Sequence, residues 1–179
     1  MIDTEKKALR KKIKALKAEV SFEEKKLRSK NIFLKLEQND FFINTKTVML
    51  YWSMKDEVFT HDFVIKWASC KEIILPSVDG DNLILKKFTG KEDLIAGDKY
   101  EILEPGGKVF ENENEIDLIV VPGVAFDKQN NRMGRGKAYY DKLLKTLKAK
   151  KIGVCFDFQL LDNIPHDKYD VKMDLVISE

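Results

Sequence analysis

The segment FDKQNNRMGRGKAYYDKLL, residues 126–144, holds the side chains of this sequence that are best suited to binding an anion. Gly134 and Gly136 permit backbone conformations closed to other residues and let a ligand approach the main chain. Arg135 and Lys137 add cations, and arginine can hold a phosphate through two parallel hydrogen bonds. The segment leads into a predicted helix, whose first N–H groups would also favour an anion. These features indicate a phosphate site.

The same segment supplies a further cation, Arg132, and a candidate metal ligand, Asp141. Magnesium usually takes one or two carboxylates together with phosphate oxygens and waters. The alternative is a glycine turn, a solvated basic patch and a helix with packed tyrosines. The pattern is neither GxxxxGK[ST] nor GxGxxG, and short glycine motifs often match by chance. The residues of this segment alone therefore leave both interpretations open.

The elements that must position this segment can be predicted from hydrophobic periodicity. A first helix is predicted for residues 4–20, where apolar residues recur at positions 9, 13, 16 and 20. The capping box SFEE at 21–24 begins a second helix. Thr60 is predicted to cap a third helix that runs to about Ser69, and a fourth follows the basic segment to about Ala149.

Six apolar runs predict strands: TVMLYW from 47, EIIL ended by Pro76, NLILKKF from 82, DLIVVPG from 117, KIGVCF from 151 and MDLVIS from 173. Runs without clean alternation, separated by helices, predict an α/β fold with a largely parallel, mixed sheet flanked by helices. We expect a single domain over residues 1–179, since neither repeats nor low-complexity linkers occur. Ligands of such sheets bind beyond the carboxyl ends of the strands, where the basic segment follows DLIVVPG.

Composition narrows the function classes. Apolar residues make up 44% and charged residues 35% of the 179 positions, which is typical of a globular protein. A net charge of +2 argues against a dedicated nucleic-acid binder. Apolar runs are too short for a membrane span, so we expect a cytoplasmic protein. The two cysteines and two histidines have no zinc-ligand spacing.

The stretch PGVAFDKQNNRMGRGKAYYDKLL closely resembles the signature of the 5-formyltetrahydrofolate cyclo-ligase family, which reads roughly Phe-Asp, a polar turn, Arg-Leu-Gly-x-Gly-x-Gly-Tyr-Tyr-Asp. Two positions depart from it. Met133 stands where leucine is usual, a mild apolar exchange. Ala138 stands where the family usually has its third glycine, and its methyl group predicts either a narrower approach to the ligand or an ordinary φ angle.

Other segments resemble the family in the same order along the chain. Lys6 and Arg10 match a pair on the amino-terminal helix that contacts ATP. Trp52 and Glu57, in YWSMKDEV, match positions that line and bind the folate. Tyr100, in KYEILEPGG, lies in a weaker match and corresponds to a substrate-lining residue. Asp174, just before the last strand, matches a metal ligand.

The resemblance implies ATP- and Mg²⁺-dependent conversion of 5-formyltetrahydrofolate to 5,10-methenyltetrahydrofolate, with release of ADP and phosphate. It implies these roles: catalysis by Arg135, Lys137 and Tyr140; ATP binding by Lys6, Arg10 and residues 132–140 (Arg132, Met133, Gly134, Arg135, Gly136, Lys137, Ala138, Tyr139, Tyr140); substrate binding by Trp52, Glu57, Tyr100, Arg135 and Tyr139; and metal binding by Asp141 and Asp174. We expect a monomer without nucleic-acid or membrane partners.

Two alternatives remain at this point. A non-catalytic module could bind RNA or another polyanion through the lysine-rich first helix and the GRGK turn. A small kinase or sugar-phosphate enzyme could use the same fold and a similar anion loop.

Overall fold

The computed structural model describes residues 2–97 and 103–179. Its α-helices are α1 (Ile2–Glu19), α2 (Phe22–Glu37), α3 (Asp40–Ile43), α4 (His61–Trp67) and α5 (Tyr139–Thr146). Its strands are β1 (Thr47–Met49), β2 (Glu72–Asp79), β3 (Asn82–Lys87), β4 (Leu94–Ala96), β5 (Leu103–Pro105), β6 (Leu118–Val121), β7 (Ala125–Asp127), β8 (Arg132–Met133), β9 (Lys150–Cys155), β10 (Leu160–Leu161) and β11 (Leu175–Ser178). Short 3₁₀ helices span Lys91–Asp93, Glu113–Glu115 and Asp157–Gln159.

The main sheet has six strands in the order β11-β9-β6-β1-β2-β3. All neighbouring strands are parallel except β3, which pairs antiparallel with β2. The predicted mixed α/β fold with two amino-terminal helices is therefore confirmed. No helix within residues 2–97 and 103–179 has both the length and the apolar character needed to cross a membrane.

Both faces of the main sheet are covered, which explains why the central strands read as continuous apolar runs. In β6, Leu118 and Val120 face a core formed with α2, α3 and α4, and Ile119 and Val121 face a second core that includes α5. Alternate residues thus enter different cores, and a polar residue at either set of positions would be buried.

A smaller sheet, β10-β7-β8, carries α1. Ile13 is fully buried there against Val124, Ala125 and Met133, and Leu9 and Leu16 pack around them. This third core brings the first helix next to the basic loop that follows β8.

Three local predictions are wrong. β2 continues through Pro76, which lies opposite Leu85 of β3. Pairing between β1 and β2 has already ended at Ile74, so the missing N–H of Pro76 breaks no ladder bond. Thr60 stands at the predicted N-cap position of α4 but makes no capping bond, because its hydroxyl bonds the backbone of the loop after β1. The last helix ends at Thr146 rather than near 149.

Candidate active site

One cavity opens at the carboxyl ends of β1 and β6 and beside β2. The basic loop, residues 134–138, crosses it and joins β8 to α5. Lining residues come from four parts of the chain: Tyr51, Trp52, Met54 and Glu57 after β1; Pro76, Val78, Leu83, Leu103 and Glu104 around β2, β3 and β5; Pro122 and Gly123 after β6; and Arg132, Gly134, Arg135, Lys137, Ala138, Tyr139, Tyr140 and Asp141. The predicted phosphate and folate residues therefore meet in one place.

Arg132 supports the loop from inside the protein. Its side chain is 5% exposed, its Nε donates to the carbonyl of Pro122 at 2.8 Å, and its Nη1 donates to Asp141 Oδ1 at 3.1 Å. Burial lowers the pKa of Arg132, and the charge of Asp141 opposes that shift. The residue thus joins the end of β6 to the first turn of α5. Met133, also predicted to contact ATP, has a buried side chain in the α1 core, which leaves only its backbone for such a contact.

The loop itself contains two residues with left-handed backbone angles, Gly136 with φ 98° and Ala138 with φ 56°. Glycine adopts such angles without cost, whereas a residue with a Cβ does not. The expectation of an ordinary φ at Ala138 is therefore wrong, and the angle gives a physical reason for the glycine usual in the family. Arg10 of α1 donates from Nε to the carbonyl of Gly134 at 2.9 Å, so the first helix holds the loop.

Two exposed cations, Arg135 and Lys137, lie at the surface of the cavity. The Arg135 Nη2 donates to Asp56 Oδ1 at 2.6 Å and to Glu57 Oε1 at 3.2 Å. The basic loop is thus tied to the segment that was predicted to bind the folate.

Both tyrosines of the signature line the cavity. The hydroxyl of Tyr139 donates to the carbonyl of Gly80 at 3.3 Å. The ring of Tyr140 lies 5.3 Å from the guanidinium carbon of Arg132. Burial, followed by the nearby charge of Glu57, raises the pKa of Tyr140 well above its usual value. Tyr140 is therefore a neutral hydrogen-bonding group.

The opposite wall carries Trp52 and Glu57. The indole of Trp52 stacks on His61 with ring centroids 3.9 Å apart, which fixes its orientation. Glu57 is held at both oxygens, since Oε2 accepts from the N–H of Met54 at 3.0 Å and Oε1 accepts from Arg135. An oriented carboxylate beside a flat aromatic wall suits a planar ligand with N–H donors.

Lys6 lies outside the cavity lining. Its ammonium pairs with Asp167 at 2.8 Å and Asp170 at 2.6 Å, in the segment before β11. Burial lowers the pKa of Lys6, but these two carboxylates more than offset it and raise the pKa overall. Of the two helix cations predicted to bind ATP, the structure places Arg10 at the loop and Lys6 in an ion-pair cluster.

The two predicted metal ligands are not brought together. Asp141 lines the cavity, whereas Asp174 lies level with the start of β9, on the amino-terminal side of the sheet. Asp174 accepts from the N–H of Lys151 at 2.8 Å and from the ammonium of Lys150 at 3.0 Å. The structure therefore places the two carboxylates at opposite edges of the sheet, and metal binding by either one stays a prediction. Tyr100 lies outside the described residues.

Of the two predicted metal ligands, Asp141 is the one that lines the cavity. Within residues 2–97 and 103–179, no group of three His, Cys, Asp or Glu side chains could hold an ion. One carboxylate is nevertheless compatible with magnesium, which usually keeps waters and takes the rest of its ligands from substrate phosphates. The donor set therefore fits a Mg²⁺ ion that arrives with a polyphosphate.

Sequence reasoning missed two residues, Asp56 and Lys17. Asp56 contacts Arg135, and Lys17 of α1 pairs with Asp56 at 3.5 Å. Lys17 follows Ile13 by four positions and is buried with it, so its place on the apolar stripe of α1 was an available signal. No local pattern distinguished Asp56 from a surface acid.

The fold and the site define a class, the α/β proteins whose ligands bind beyond the carboxyl ends of the strands, and here a basic glycine loop crosses that cleft. The model of the "5-formyltetrahydrofolate cyclo-ligase family" matches residues 2–179, and the chain belongs to this family.

Individual relatives agree with that assignment. A 5-formyltetrahydrofolate cyclo-ligase of Mus musculus is 31% identical over 194 residues, covering 99% of this chain and 95% of the relative. The NMR structure of Aquifex aeolicus 5,10-methenyltetrahydrofolate synthetase superimposes with a TM-score of 0.86 and 36% identity, over 97% of this chain and 89% of that one. A 5,10-methenyltetrahydrofolate synthetase from Mycoplasma pneumoniae gives a TM-score of 0.77 and 31% identity, with 96% and 97% coverage.

Proposed function

We propose that this protein converts 5-formyltetrahydrofolate to 5,10-methenyltetrahydrofolate, using ATP and Mg²⁺ and releasing ADP and phosphate. The observation that carries the proposal is the meeting of two predicted half-sites in one cavity. Arg135 of the phosphate loop contacts Glu57 of the folate wall at 3.2 Å. A phosphoryl donor and a folate placed on these halves would therefore meet.

The formyl group of the folate is a poor electrophile, so the reaction must activate it. Transfer of the γ-phosphoryl group from ATP to the formyl oxygen releases ADP and turns that oxygen into a good leaving group. The nitrogen at folate position 10 then attacks the formyl carbon and closes the ring. Loss of the proton from that nitrogen and departure of phosphate with the carbon–oxygen bond electrons give the methenyl product. No protein nucleophile takes part, so the protein acts by positioning the reactants and neutralising charge.

The residues of the loop would hold the phosphates. Arg135 and Lys137 supply exposed positive charges, and the backbone of residues 134–138 would approach the phosphates closely. Arg10 reaches the loop from α1, and Lys6 would join the triphosphate only by leaving Asp167 and Asp170. Tyr139 and Tyr140 line the same cavity and would pack or hydrogen-bond beside the reacting groups.

Asp141 would hold the Mg²⁺. Its Oδ1 accepts from Arg132, so the second oxygen is the one left for the ion. Bound there, Mg²⁺ would offset negative charge on the phosphate oxygens.

Trp52 and Glu57 would orient the folate. The indole offers a flat apolar surface for the ring system, and the carboxylate accepts from its N–H groups. We further propose that the chain acts as one domain, as a cytoplasmic monomer, without nucleic-acid or membrane partners.

The direct test is to incubate purified protein with ATP, Mg²⁺ and 5-formyltetrahydrofolate and to record the near-ultraviolet absorbance of the methenyl product. We expect product formation that depends on both ATP and Mg²⁺. Absence of signal above a protein-free control contradicts the proposal. Replacing the folate by sugars in a parallel ADP-release assay distinguishes this activity from that of a sugar kinase, which would release ADP with the sugars.

A further inference from the structure

Arg135 is anchored by one end of its guanidinium. Only Nη2 contacts carboxylates, Asp56 Oδ1 at 2.6 Å and Glu57 Oε1 at 3.2 Å. In the described part of the chain, Nε and Nη1 of Arg135 make no hydrogen bond to protein. The guanidinium is thus fixed in direction, and its remaining donors are available for a ligand in the cavity, which Arg135 lines.

Asp56, the closer anchor, is itself held from the other side. Its Oδ2 pairs with the ammonium of Lys17 at 3.5 Å, and the Lys17 side chain is only 5% exposed. Burial would raise the pKa of Asp56, but Lys17 and Arg135 outweigh it and lower that pKa. Asp56 is therefore a carboxylate clamped between two cations.

We propose that Asp56 is a positioning residue, which sets the direction of Arg135 so that its remaining donors meet the phosphates of ATP. This inference rests on the proposed function, because it takes ATP as the ligand of the loop. The buried Lys17 fixes Asp56 in turn, since an ammonium with few alternative partners holds its carboxylate in place. Asp56 acts through Arg135 and touches no reacting atom.

Helix α1 thereby reaches the loop at two points. Arg10 bonds the carbonyl of Gly134, and Lys17 reaches Arg135 through Asp56. The two basic residues are seven positions apart and therefore lie on one side of the helix, two turns from each other. The first helix would therefore fix both the backbone of the loop at Gly134 and the side chain of Arg135.

The direction in which Asp56→Asn changes the affinity for ATP distinguishes positioning from simple charge repulsion. A carboxylate near a polyphosphate repels it, so simple charge removal at Asp56 should strengthen ATP binding. Positioning predicts the opposite, because an unanchored Arg135 must be ordered when the nucleotide binds. The direction of the change in affinity therefore separates the two effects.

The experiment is a double-mutant cycle on the affinity for Mg²⁺–ATP, measured by calorimetry without folate. We expect Asp56→Asn to weaken binding about 10-fold or more, the loss typical of a charge-assisted hydrogen bond. In an Arg135→Ala background the same change should alter affinity by less than about twofold, because the two residues act as a unit. Lys17→Met, which replaces the buried cation by an apolar side chain of similar length, should weaken binding in the same direction.

Asp162→Asn is the matched control, since Asp162 forms an exposed ion pair with Lys128 at 2.6 Å that Arg135 does not share. It should leave ATP affinity unchanged, and thermal unfolding checks that every variant is folded. Unchanged or tighter binding by Asp56→Asn overturns the proposal, as does an equal loss in the Arg135→Ala background. A wild-type protein that binds ATP but forms no methenyl product refutes the proposed function alone, whereas one that does not bind ATP refutes both.

Discussion

The two edges of the main sheet use aspartate in opposite ways. At the amino-terminal edge, Asp117 accepts from the N–H groups of Lys46 and Thr47 at 2.8 and 3.0 Å, and Asp174 accepts from that of Lys151 at 2.8 Å. At the carboxyl edge, Asp141 accepts from no backbone group among the described residues and faces the cavity. Carboxylates of the first edge satisfy strand backbones, and the carboxylate of the second edge remains available to a ligand.

The difference follows from chain direction. Asp117 and Asp174 each stand directly before a strand, so their carboxylates lie beside the first N–H groups of the neighbouring strands. Asp141 lies in the first turn of a helix that follows a strand end and a loop. In parallel sheets the second kind of position meets ligands. Position relative to strand direction thus separates the carboxylates that accept from strand backbones from the one that faces the cavity.

The largest expected effect is at the carboxyl edge. Asp141→Asn should lower turnover about 100-fold or more, because the neutral amide is a poor ligand for a charge-offsetting ion. The amide oxygen can still accept from Arg132, so circular dichroism should show an intact fold. Steady-state rates across a Mg²⁺ series provide the measurement. Unchanged activity with an unchanged Mg²⁺ profile would show that Asp141 does not hold the ion.

The reverse pattern is expected at the amino edge. Asp174→Asn should leave turnover per folded molecule unchanged and lower the free energy of unfolding by about 1 to 2 kcal/mol, because a charge-assisted bond to a backbone N–H is weakened. Urea denaturation and the product assay, run on the same preparation, measure both quantities. A loss of activity without a loss of stability would show that Asp174 takes part in the reaction.

Acid should reduce that stability difference. Burial would raise the pKa of Asp174, but the N–H of Lys151 and the charge of Lys150 lower it below the usual 3.8. A lowered folded-state pKa means that the stabilisation is complete above the unfolded value and is lost as pH falls through the folded one. The gap between wild type and Asp174→Asn should therefore be constant near neutral pH and should shrink below about pH 4. A difference in the free energy of unfolding that grows in acid would contradict a lowered pKa of Asp174.

The smallest expected effect concerns backbone strain beside Asp141. Ala138→Gly should raise the free energy of unfolding by about 0.5 to 1 kcal/mol, because relief of the left-handed angle exceeds the added freedom of the unfolded chain. Ala15→Gly, in the exposed middle of α1, should instead lower it by about 1 kcal/mol. Thermal denaturation of both variants tests the contrast, and a loss of stability in Ala138→Gly would show that the loop imposes no strain.

Much of the fold could be predicted from local patterns. Helical spacing identified α1, the capping box SFEE identified the start of α2, and the unbroken apolar run at residues 118–121 identified a strand covered on both faces. Pro76 was wrongly predicted to end a strand. Whether proline ends a strand depends on whether a neighbouring strand would bond the N–H that proline lacks. That information lies in the pairing of distant strands and not in the residue.

The site was predictable where its residues are contiguous. The basic loop and Asp141 lie within one stretch, and Glu57, which lines the same cavity, was predicted by resemblance to the family. Asp56 and Lys17 were missed because their place beside the cavity depends on a contact between residues 39 positions apart.

The sequence by itself determined the α/β class, the family and the residues that form the basic loop, because periodicity and a contiguous signature are local properties of a chain. Only the tertiary structure decided that Asp141 faces the cavity while Asp174 supports a strand, that Ala138 adopts a left-handed angle, and that Lys17 reaches Arg135 through Asp56. These outcomes depend on strand direction and on contacts between distant segments, which no local pattern contains.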